Sequence, residues 1–391
     1  MKVIHLINLE KMGGAEKVFL QYIQESNAEN VIFCISNFAD KDIQEILKGH
    51  KIHFINRAFS FSEIKYPSFL RKFILQNRIE SQSADVLMVW DIIPRLYRKP
   101  KGIKTVYYDH GSSWRFHDSD KTRAFFNPID GALAASHASK VMMQERFSIN
   151  VQTEIINNKL PDVESTMMDK TCPSKDHLIL GVACRLVAIK AIGVAILTVY
   201  QLLKMGINAR LLIAGSGPNE AALKTLVEKY GLEDNVIFLG YQSKLDHFYD
   251  QIHLYMSTSI TENYSLSCLD ALLHNVPCLF SMVDGQPEVN RDGITGIGIV
   301  PTLTMQLYES QSGYSVNVPR ETPYFVYNPI EAKLTKPLVL SYLDCANAIS
   351  DMLLKDRYAD FQKGIEDYKL MVKYKENMAV SIDRFVTGMV K

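Results

Sequence analysis

Asn157–Asp176 reads NNKLPDVESTMMDKTCPSKD, and this stretch decides how many cores the chain builds. It is polar, holds two prolines, and shows neither the helical nor the strand period, so it is expected to be a linker. On both sides of it short apolar runs alternate with helical patterns, the mark of α/β domains built on parallel strands. Before it the strand candidates are Val3–Ile7, Val31–Ile35, Ile52–Ile55, Val86–Trp90, Thr105–Tyr108 and Gly131–Ala135. After it a fresh series runs through Leu178–Cys184, Ala209–Ala214, Val236–Leu239, Leu254–Ser257 and Pro277–Phe280. Leu223, Leu226, Val227 and Tyr230 recur at i, i+3, i+4 and i+7, which predicts one buried helical stripe. The fold class that follows is α/β, with two doubly wound parallel sheets. Joined by a linker, they would leave a cleft between two sets of strand C-terminal ends, the place where such sheets bind ligands.

Residues 301–337 break the alternation, with prolines at 301, 319, 323, 329 and 337 and no period, and read as an irregular excursion in the second domain. Helical patterning resumes near Leu338 and runs to Lys391, with a break near Lys355–Asp356. A length of 391 residues agrees with two or three domains at roughly 150 residues each. With 47% hydrophobic and 22% charged residues the composition is globular rather than disordered. Lys+Arg and Asp+Glu both number 43, and this balance argues against a nucleic-acid partner. No apolar run is long enough to predict a spanning helix. The opening MKVIHLINLE reads directly as a strand with no leader pattern, so the expected location is cytoplasmic. The six cysteines form no C-x-x-C pair and predict reduced, mostly buried thiols, without disulfide or zinc.

Four stretches carry candidate chemistry. Gly13 and Gly14 follow the first strand and open a helix, where glycine allows positive φ and the helix N-terminus favours an anion; a tight turn explains them as well. Arg185 and Lys190, just after the first strand of the second domain, can clamp a diphosphate, or be two solvated cations. Ala214–Pro218, AGSGP, places Gly215 and Gly217 in a strand-to-helix turn with Pro218 near the first helical position. In STSITENYSLSCLDALLHNVP, residues 257–277, Glu262 ends a loop, Ser265 can cap a helix, and Asp270 lies eight residues after Glu262. Carboxylates accept from paired hydroxyls such as those of a sugar or ribose, and exposed amides at Asn263, Tyr264, Ser265 and Leu266 suit phosphate or sugar oxygens. A first-turn carboxylate offsetting the helix dipole explains one of the two acids more naturally than both.

In this order and spacing, GGAE at 13–16, RLVAIK at 185–190, AGSGP at 214–218, Gly240-Tyr241, TENYSLSCLDAL at 261–272 and DGQPEVNRDGITG at 284–296 resemble the retaining glycosyltransferases of the GT-B fold, glycosyltransferase family 4. The resemblance implies two Rossmann-like domains facing across a cleft: 1–165 for the acceptor, with a C-terminal helix at 366–391 packed back on it, and 166–365 for a nucleotide-sugar. It implies an E-x7-E motif whose first acid, Glu262, contacts the donor sugar and whose second, here Asp270 and one methylene shorter, contacts the ribose. Asn263 and Ser265 stand where the family often has glycine. By the same resemblance Arg185 and Lys190 hold the pyrophosphate, Gly14 lies near the phosphates, and His110 in YYDHGSSW is the histidine beneath the reacting sugar. No metal and no other cofactor is implied. The implied partners are a nucleotide-sugar donor and a saccharide or glycolipid acceptor in polysaccharide or lipopolysaccharide assembly. An epimerase or phosphorylase of the same fold and a non-catalytic nucleotide-sugar-binding subunit are the alternatives.

Three further features have plainer readings. Ser136 reads as a helix N-cap, and the D-x-D at Asp118–Asp120 as capping or solvent exposure rather than a cation site. His50 and His53 have no cluster that suggests a metal. From Lys65 to Lys104 nine basic residues face three acidic ones, with Phe69, Leu70, Phe73 and Ile74 interspersed. That segment is either a surface for anionic lipid or an ordinary helix with its apolar face inward.

Overall fold

The structure, a computed structural model, describes residues 1–55, 57–59, 62–63, 68–94, 96, 98–158, 171–318, 322–373 and 377–391. Most of the expected linker lies outside them. The chain forms two compact units, Met1–Lys159 with Glu376–Lys391, and Leu160–Lys375.

The first unit contains β1 (Lys2–Ile7), α1 (Gly14–Glu25), β2 (Glu29–Cys34), α2 (Lys41–Ile46), β3 (Ile52–Phe54), the small antiparallel pair β4 (Arg57–Phe59) and β5 (Ser62–Glu63), and α3 (Ser68–Glu80). It continues with β6 (Val86–Trp90), β7 (Lys104–Asp109), α4 (Asp120–Phe126), β8 (Gly131–Ala134), α5 (His137–Phe147) and β9 (Gln152–Ile155). Seven strands make one parallel sheet in the order β3-β2-β1-β6-β7-β8-β9. Helices cover both faces, which is why the central strand β6, VLMVW, is buried throughout. Strand β9, QTEI, was not expected from the sequence. It is a half-buried edge whose polar residues hide the apolar signal. The C-terminal helix Met378–Val390 belongs to this unit, burying Ile382, Phe385 and Val386 at about 2 kcal/mol each. Asp383 fastens it by accepting from the Tyr22 hydroxyl at 2.8 Å and the Ser26 hydroxyl at 2.9 Å. Gly131 makes room, since a Cβ there would lie 3.0 Å from the Met389 sulfur and 3.1 Å from Phe385.

The second unit contains β10 (Leu178–Ala183), α6 (Gly193–Lys204), β11 (Ala209–Ala214), α7 (Glu220–Lys229), β12 (Val236–Gly240), α8 (Asp246–Gln251), β13 (Leu254–Ser257), α9 (Leu266–Leu273), β14 (Cys278–Ser281), α10 (Gln286–Val289) and β15 (Gly296–Ile299). Its sheet is parallel in the order β12-β11-β10-β13-β14-β15. Strand β15, GIGI, escaped the sequence reading because its glycines carry no alternation. Of the expected stripe, Leu223, Leu226 and Val227 are buried on α7, while Tyr230 lies just past the helix, half-buried, its ring 4.7 Å from that of Tyr200.

The excursion 301–337 is not irregular throughout, which corrects the sequence reading. It holds α11 (Met305–Ser312) and the hairpin β16 (Val326–Asn328)–β17 (Lys333–Thr335). The Tyr308 and Tyr314 hydroxyls lie 2.8 Å apart, and the Tyr314 hydroxyl accepts from the first amide of α6, Gly193, at 3.1 Å. The segment lacked a readable period because its helix is short and its anchors are single long-range contacts. Then follow α12 (Tyr342–Leu354), α13 (Tyr358–Lys373) and α14 (Met378–Val390), so residues 366–391 are shared between two helices, of which α13 stays in the second unit. Cys34, Cys268, Cys278 and Cys345 are buried, Cys184 is half-buried and Cys172 exposed, all as free thiols. Among the described residues no helix is long and apolar enough to cross a membrane.

Candidate active site

In the second sheet the strand order reverses between β10 and β13, and the chains leaving a switch point diverge to open a crevice. The loop after β10 carries Arg185 and Lys190; the loop after β13 carries Glu262. Cross-links hold the two loops in register. The Thr258 hydroxyl donates to the carbonyls of Lys190 (3.0 Å) and Ala191 (3.2 Å), and the Ile260 amide donates to Ile189 at 2.8 Å. The Lys190 ammonium then forms a hydrogen-bonded ion pair with Glu262, and the Ser259 hydroxyl donates to the same carboxylate oxygen at 3.3 Å. Each partner keeps only 18% of its side chain exposed. Burial opposes the charge on Lys190, but the Glu262 carboxylate and the Cys184 sulfur outweigh it, so its pKa lies above the ordinary lysine value. Arg185 is exposed, has no ion-pair partner among the described residues, and is near enough for its charge to work against that of Lys190. The structure thus brings Arg185, Lys190 and Glu262 together.

The two glycines of AGSGP serve the Arg185 loop. Gly215 has φ 139°, and a Cβ on it would fall 1.9 Å from the Cys184 carbonyl oxygen; one on Gly217 would fall 2.4 Å from that of Leu186. The turns are laced together by Leu186 N to Ser216 O (2.9 Å) and Asn219 N to Leu186 O (3.0 Å). Pro218 precedes the N-cap, Asn219, instead of sitting at the first helical position.

The residues 263–266 are more enclosed than the expectation of exposed amides. Tyr264 and Ser265 are buried, Asn263 and Leu266 half-buried, and the Ser265 hydroxyl caps α9 by accepting from Cys268 N at 3.4 Å. Asp270 is half-buried on α9, and its charge adds to burial and to Tyr255 in keeping the Tyr249 hydroxyl protonated. The residue that positions Glu262 was missed. Asp284, buried and left-handed (φ 50°), accepts on Oδ2 from the Glu262 amide (3.0 Å) and the Thr261 hydroxyl (2.6 Å), and on Oδ1 from the Tyr327 amide of β16 (2.7 Å). Its sequence signal is the Asp-Gly pair after a strand, since aspartate tolerates that conformation.

In the first unit His110 follows β7. Its ring stacks on Trp90 (5.7 Å, 8°) and packs on Tyr108 (4.1 Å), and its Nε2 is buried with no hydrogen-bond partner among the described residues. Burial pushes its pKa down to about 3, so the imidazole is neutral at pH 7. Asp91, left-handed at φ 53° and also missed, accepts from the amides of His110 (2.7 Å) and Ser112 (2.9 Å) and from the Ser112 hydroxyl (2.8 Å). Asp109 turns away from His110 and accepts from Tyr107, Ser113 and Ser139 hydroxyls at 3.0, 2.8 and 2.6 Å. Burial, then mutual repulsion, raises the pKa of Asp91 above the carboxylate range, and burial raises that of Asp109. Gly14 is the first residue of α1, and Gly13 is extended (φ −147°), not left-handed; a Cβ on Gly13 would meet only the end of the Glu16 side chain, at 2.6 Å, which can swing aside, so neither φ nor close approach requires glycine there. Ser136 caps α5 through Ser139 N at 3.0 Å, Ser119 caps α4, and Asp118 pairs with Arg123 at 2.6 Å.

Residues 164–310 match the family described as Glycosyl transferases group 1. The chain carries a glycosyl transferases group 1 domain. This domain spans β10 to β15, with Arg185, Lys190, Glu262 and Asp284 inside it. The gpi3 subunit of the Schizosaccharomyces pombe phosphatidylinositol N-acetylglucosaminyltransferase is 25% identical over 299 residues, covering 71% of this chain and 64% of that subunit. The Bacillus anthracis N-acetyl-alpha-D-glucosaminyl L-malate synthase is 36% identical over 90 residues, 23% of this chain and 24% of the synthase. The chain therefore aligns with less than two thirds of the length of either relative. Anabaena HepE, solved in complex with UDP and glucose, superposes with a TM-score of 0.66 at 17% identity, covering 100% of this chain and 99% of that one. The group 1 domain and the first unit are the two Rossmann-like halves of a GT-B fold.

Proposed function

We propose that the protein is a retaining, metal-independent glycosyltransferase. It moves a sugar from a nucleotide-sugar donor to a saccharide or lipid-linked saccharide, in polysaccharide or lipopolysaccharide assembly on the cytoplasmic face of a membrane. The observation that carries this reading is the meeting of Arg185, Lys190 and Glu262 at the β10/β13 switch point. As the anomeric bond breaks, charge grows on the leaving diphosphate, and Arg185 with Lys190 offsets it. One preorganised donor of this type contributes about 3 kcal/mol to lowering the barrier. An ammonium has three N–H donors, so Lys190 can hold Glu262 and a phosphate oxygen at once. Glu262 accepts from donor hydroxyls and Asp270 from the ribose, with Gly14, Gly215, Gly217 and residues 263–266 shaping the donor site. Neutral His110 meets the sugar without a charge. The departing phosphate takes the acceptor's proton on the face it leaves, which retains the anomeric configuration.

Purified protein incubated with UDP-glucose, the first donor to test given the HepE complex, and with GDP-, ADP- and CMP-linked sugars should be stabilised by the matching nucleotide. It should also form an α-linked product from an α-linked donor, in EDTA. A β-linked product would remove retention, and loss of activity in EDTA would remove metal independence. A second reading, a nucleotide-sugar-binding subunit without transfer activity, draws on Asp270 in place of glutamate and on the yeast relative's being a subunit. Binding of a donor with neither transfer nor hydrolysis would favour it.

A further inference from the structure

Lys190 stands next to a strained residue. Ala191 is left-handed, with φ 44°. That conformation costs an alanine free energy and persists only where the chain is fixed on both sides of it. On one side the Thr258 hydroxyl donates to the carbonyls of Lys190 and Ala191. On the other side α6 begins at Gly193, and its N-cap residue, Ile192, has no side-chain acceptor to offer. The first amide of a helix has no partner within the helix. Here the partner comes from the excursion: the Tyr314 hydroxyl, 121 residues along the chain, accepts from the Gly193 amide at 3.1 Å. The Tyr308 hydroxyl of α11 lies 2.8 Å from that of Tyr314 and fixes it. Burial keeps both phenols protonated. Gly193 permits the approach, because a Cβ on it would collide with the Tyr308 oxygen and lie 3.0 Å from the Tyr314 ring.

The excursion is itself held. Leu303 and Val339 exchange backbone hydrogen bonds at 2.9 and 2.8 Å, which closes its two ends together. The Tyr230 hydroxyl, at the end of α7, donates to the Gln311 carbonyl of α11 at 3.1 Å. Further along, the excursion repeats the arrangement. The Tyr327 amide of β16 holds Asp284, left-handed at φ 50°, whose carboxylate takes the Glu262 amide. A left-handed residue other than glycine thus stands by each partner of the Lys190–Glu262 pair, and in both cases the excursion supplies a hydrogen bond that fixes it.

We propose that Tyr314, held by Tyr308, is a positioning residue for Lys190: by pinning the first amide of α6 it keeps Ala191 left-handed and the Lys190 ammonium on Glu262. The kinetic consequence rests on the transferase reading; the geometric one does not. Tyr314→Phe removes one oxygen and leaves the ring. It should lower kcat for transfer by about tenfold, with donor KM near wild type. Labelling of Lys190 by acetic anhydride, read by mass spectrometry with no donor present, should rise by about threefold as its pKa returns toward the ordinary value. Tyr308→Phe should act in the same direction and less strongly, and it carries the test if Tyr314→Phe does not fold. Adding Ala191→Gly to Tyr314→Phe should recover most of kcat, since glycine adopts the left-handed conformation freely. Tyr230→Phe, which removes a hydroxyl bond to the excursion but none to the Lys190 loop, should lower Tm alone. Unchanged Lys190 labelling in folded Tyr314→Phe would overturn the proposal. So would equal losses of kcat in Tyr314→Phe and Tyr230→Phe, which would make Tyr314 an ordinary part of the fold. Absence of transfer by the wild type would count against the transferase reading and leave the labelling to decide the role of Tyr314.

Discussion

The His110 loop and the Glu262 loop are fastened alike and finished differently. In each unit a left-handed aspartate after one strand reaches the loop leaving the neighbouring strand: Asp91 after β6 takes the amides of His110 and Ser112, and Asp284 after β14 takes that of Glu262. The side chains so presented differ. His110 has a buried ring nitrogen with no partner among the described residues, while Glu262 is met by Lys190 and Ser259. An unpartnered buried nitrogen has a standing cost of about 1–3 kcal/mol, whereas a paired carboxylate is satisfied before any ligand arrives. The first loop is therefore ready to gain a hydrogen bond, and the second must share one.

The widest gap between the loops is expected at Lys190. Lys190→Met should lower transfer by about 10²–10³-fold, the cost of losing one charge-stabilising donor. It should also lower Tm, because Glu262 is left largely buried and unpaired; adding Glu262→Gln should recover Tm but not the rate. Equal Tm in the single and double variants would break the account of the pair. The two clamps come next. Asp91→Ala and Asp284→Ala should each reduce kcat by up to about 10²-fold, the scale of a misplacement near 1 Å, with donor KM rising in the Asp284 variant. Loss of Tm with kcat unchanged would make them structural only.

A smaller effect separates two buried histidines of the first unit. His5 bonds Asn30 Oδ1 at 2.8 Å through Nε2 and accepts from Trp90 Nε1 at 3.1 Å through Nδ1, so His5→Gln should cost about 2 kcal/mol in urea unfolding. His110→Gln should leave stability near wild type and lower transfer. Smallest is the pH response. Burial depresses His5 to about 4 and His110 to about 3, below the unfolded value, so their contribution is full above the unfolded pKa and is lost as pH falls. At pH 5.5 each withdraws about 1.4 kcal/mol relative to a histidine-free chain. Asp91 and Asp109, raised by burial, act in the opposite sense, their contribution growing as pH falls. His110→Gln should therefore lose less stability than wild type between pH 7 and 5.5; equal losses would show that His110 is not held neutral.

The central strands were readable because burial on both faces leaves unbroken apolar runs such as VLMVW and LILGVA, whereas the edge strands QTEI and GIGI carry no such run. That Arg185, Lys190 and Glu262 would lie near one another was legible because each follows a readable strand, and the chains that leave neighbouring strand ends of a doubly wound sheet gather at one side of it. Asp91 and Asp284 were not singled out, since nothing near them in the chain reveals which loop lies across the next strand.

By itself the sequence determined the alternation that builds two parallel sheets, the strands that lie at their centres, and the residue types that leave those strands. Only the tertiary structure decided which of these residues meet. Strand order set β10 beside β13 and so closed Lys190 onto Glu262, and β16 reached Asp284 across 43 residues of chain. Periodicity reports a residue's near neighbours along the chain, while contacts between loops depend on how whole strands are ordered in the sheet.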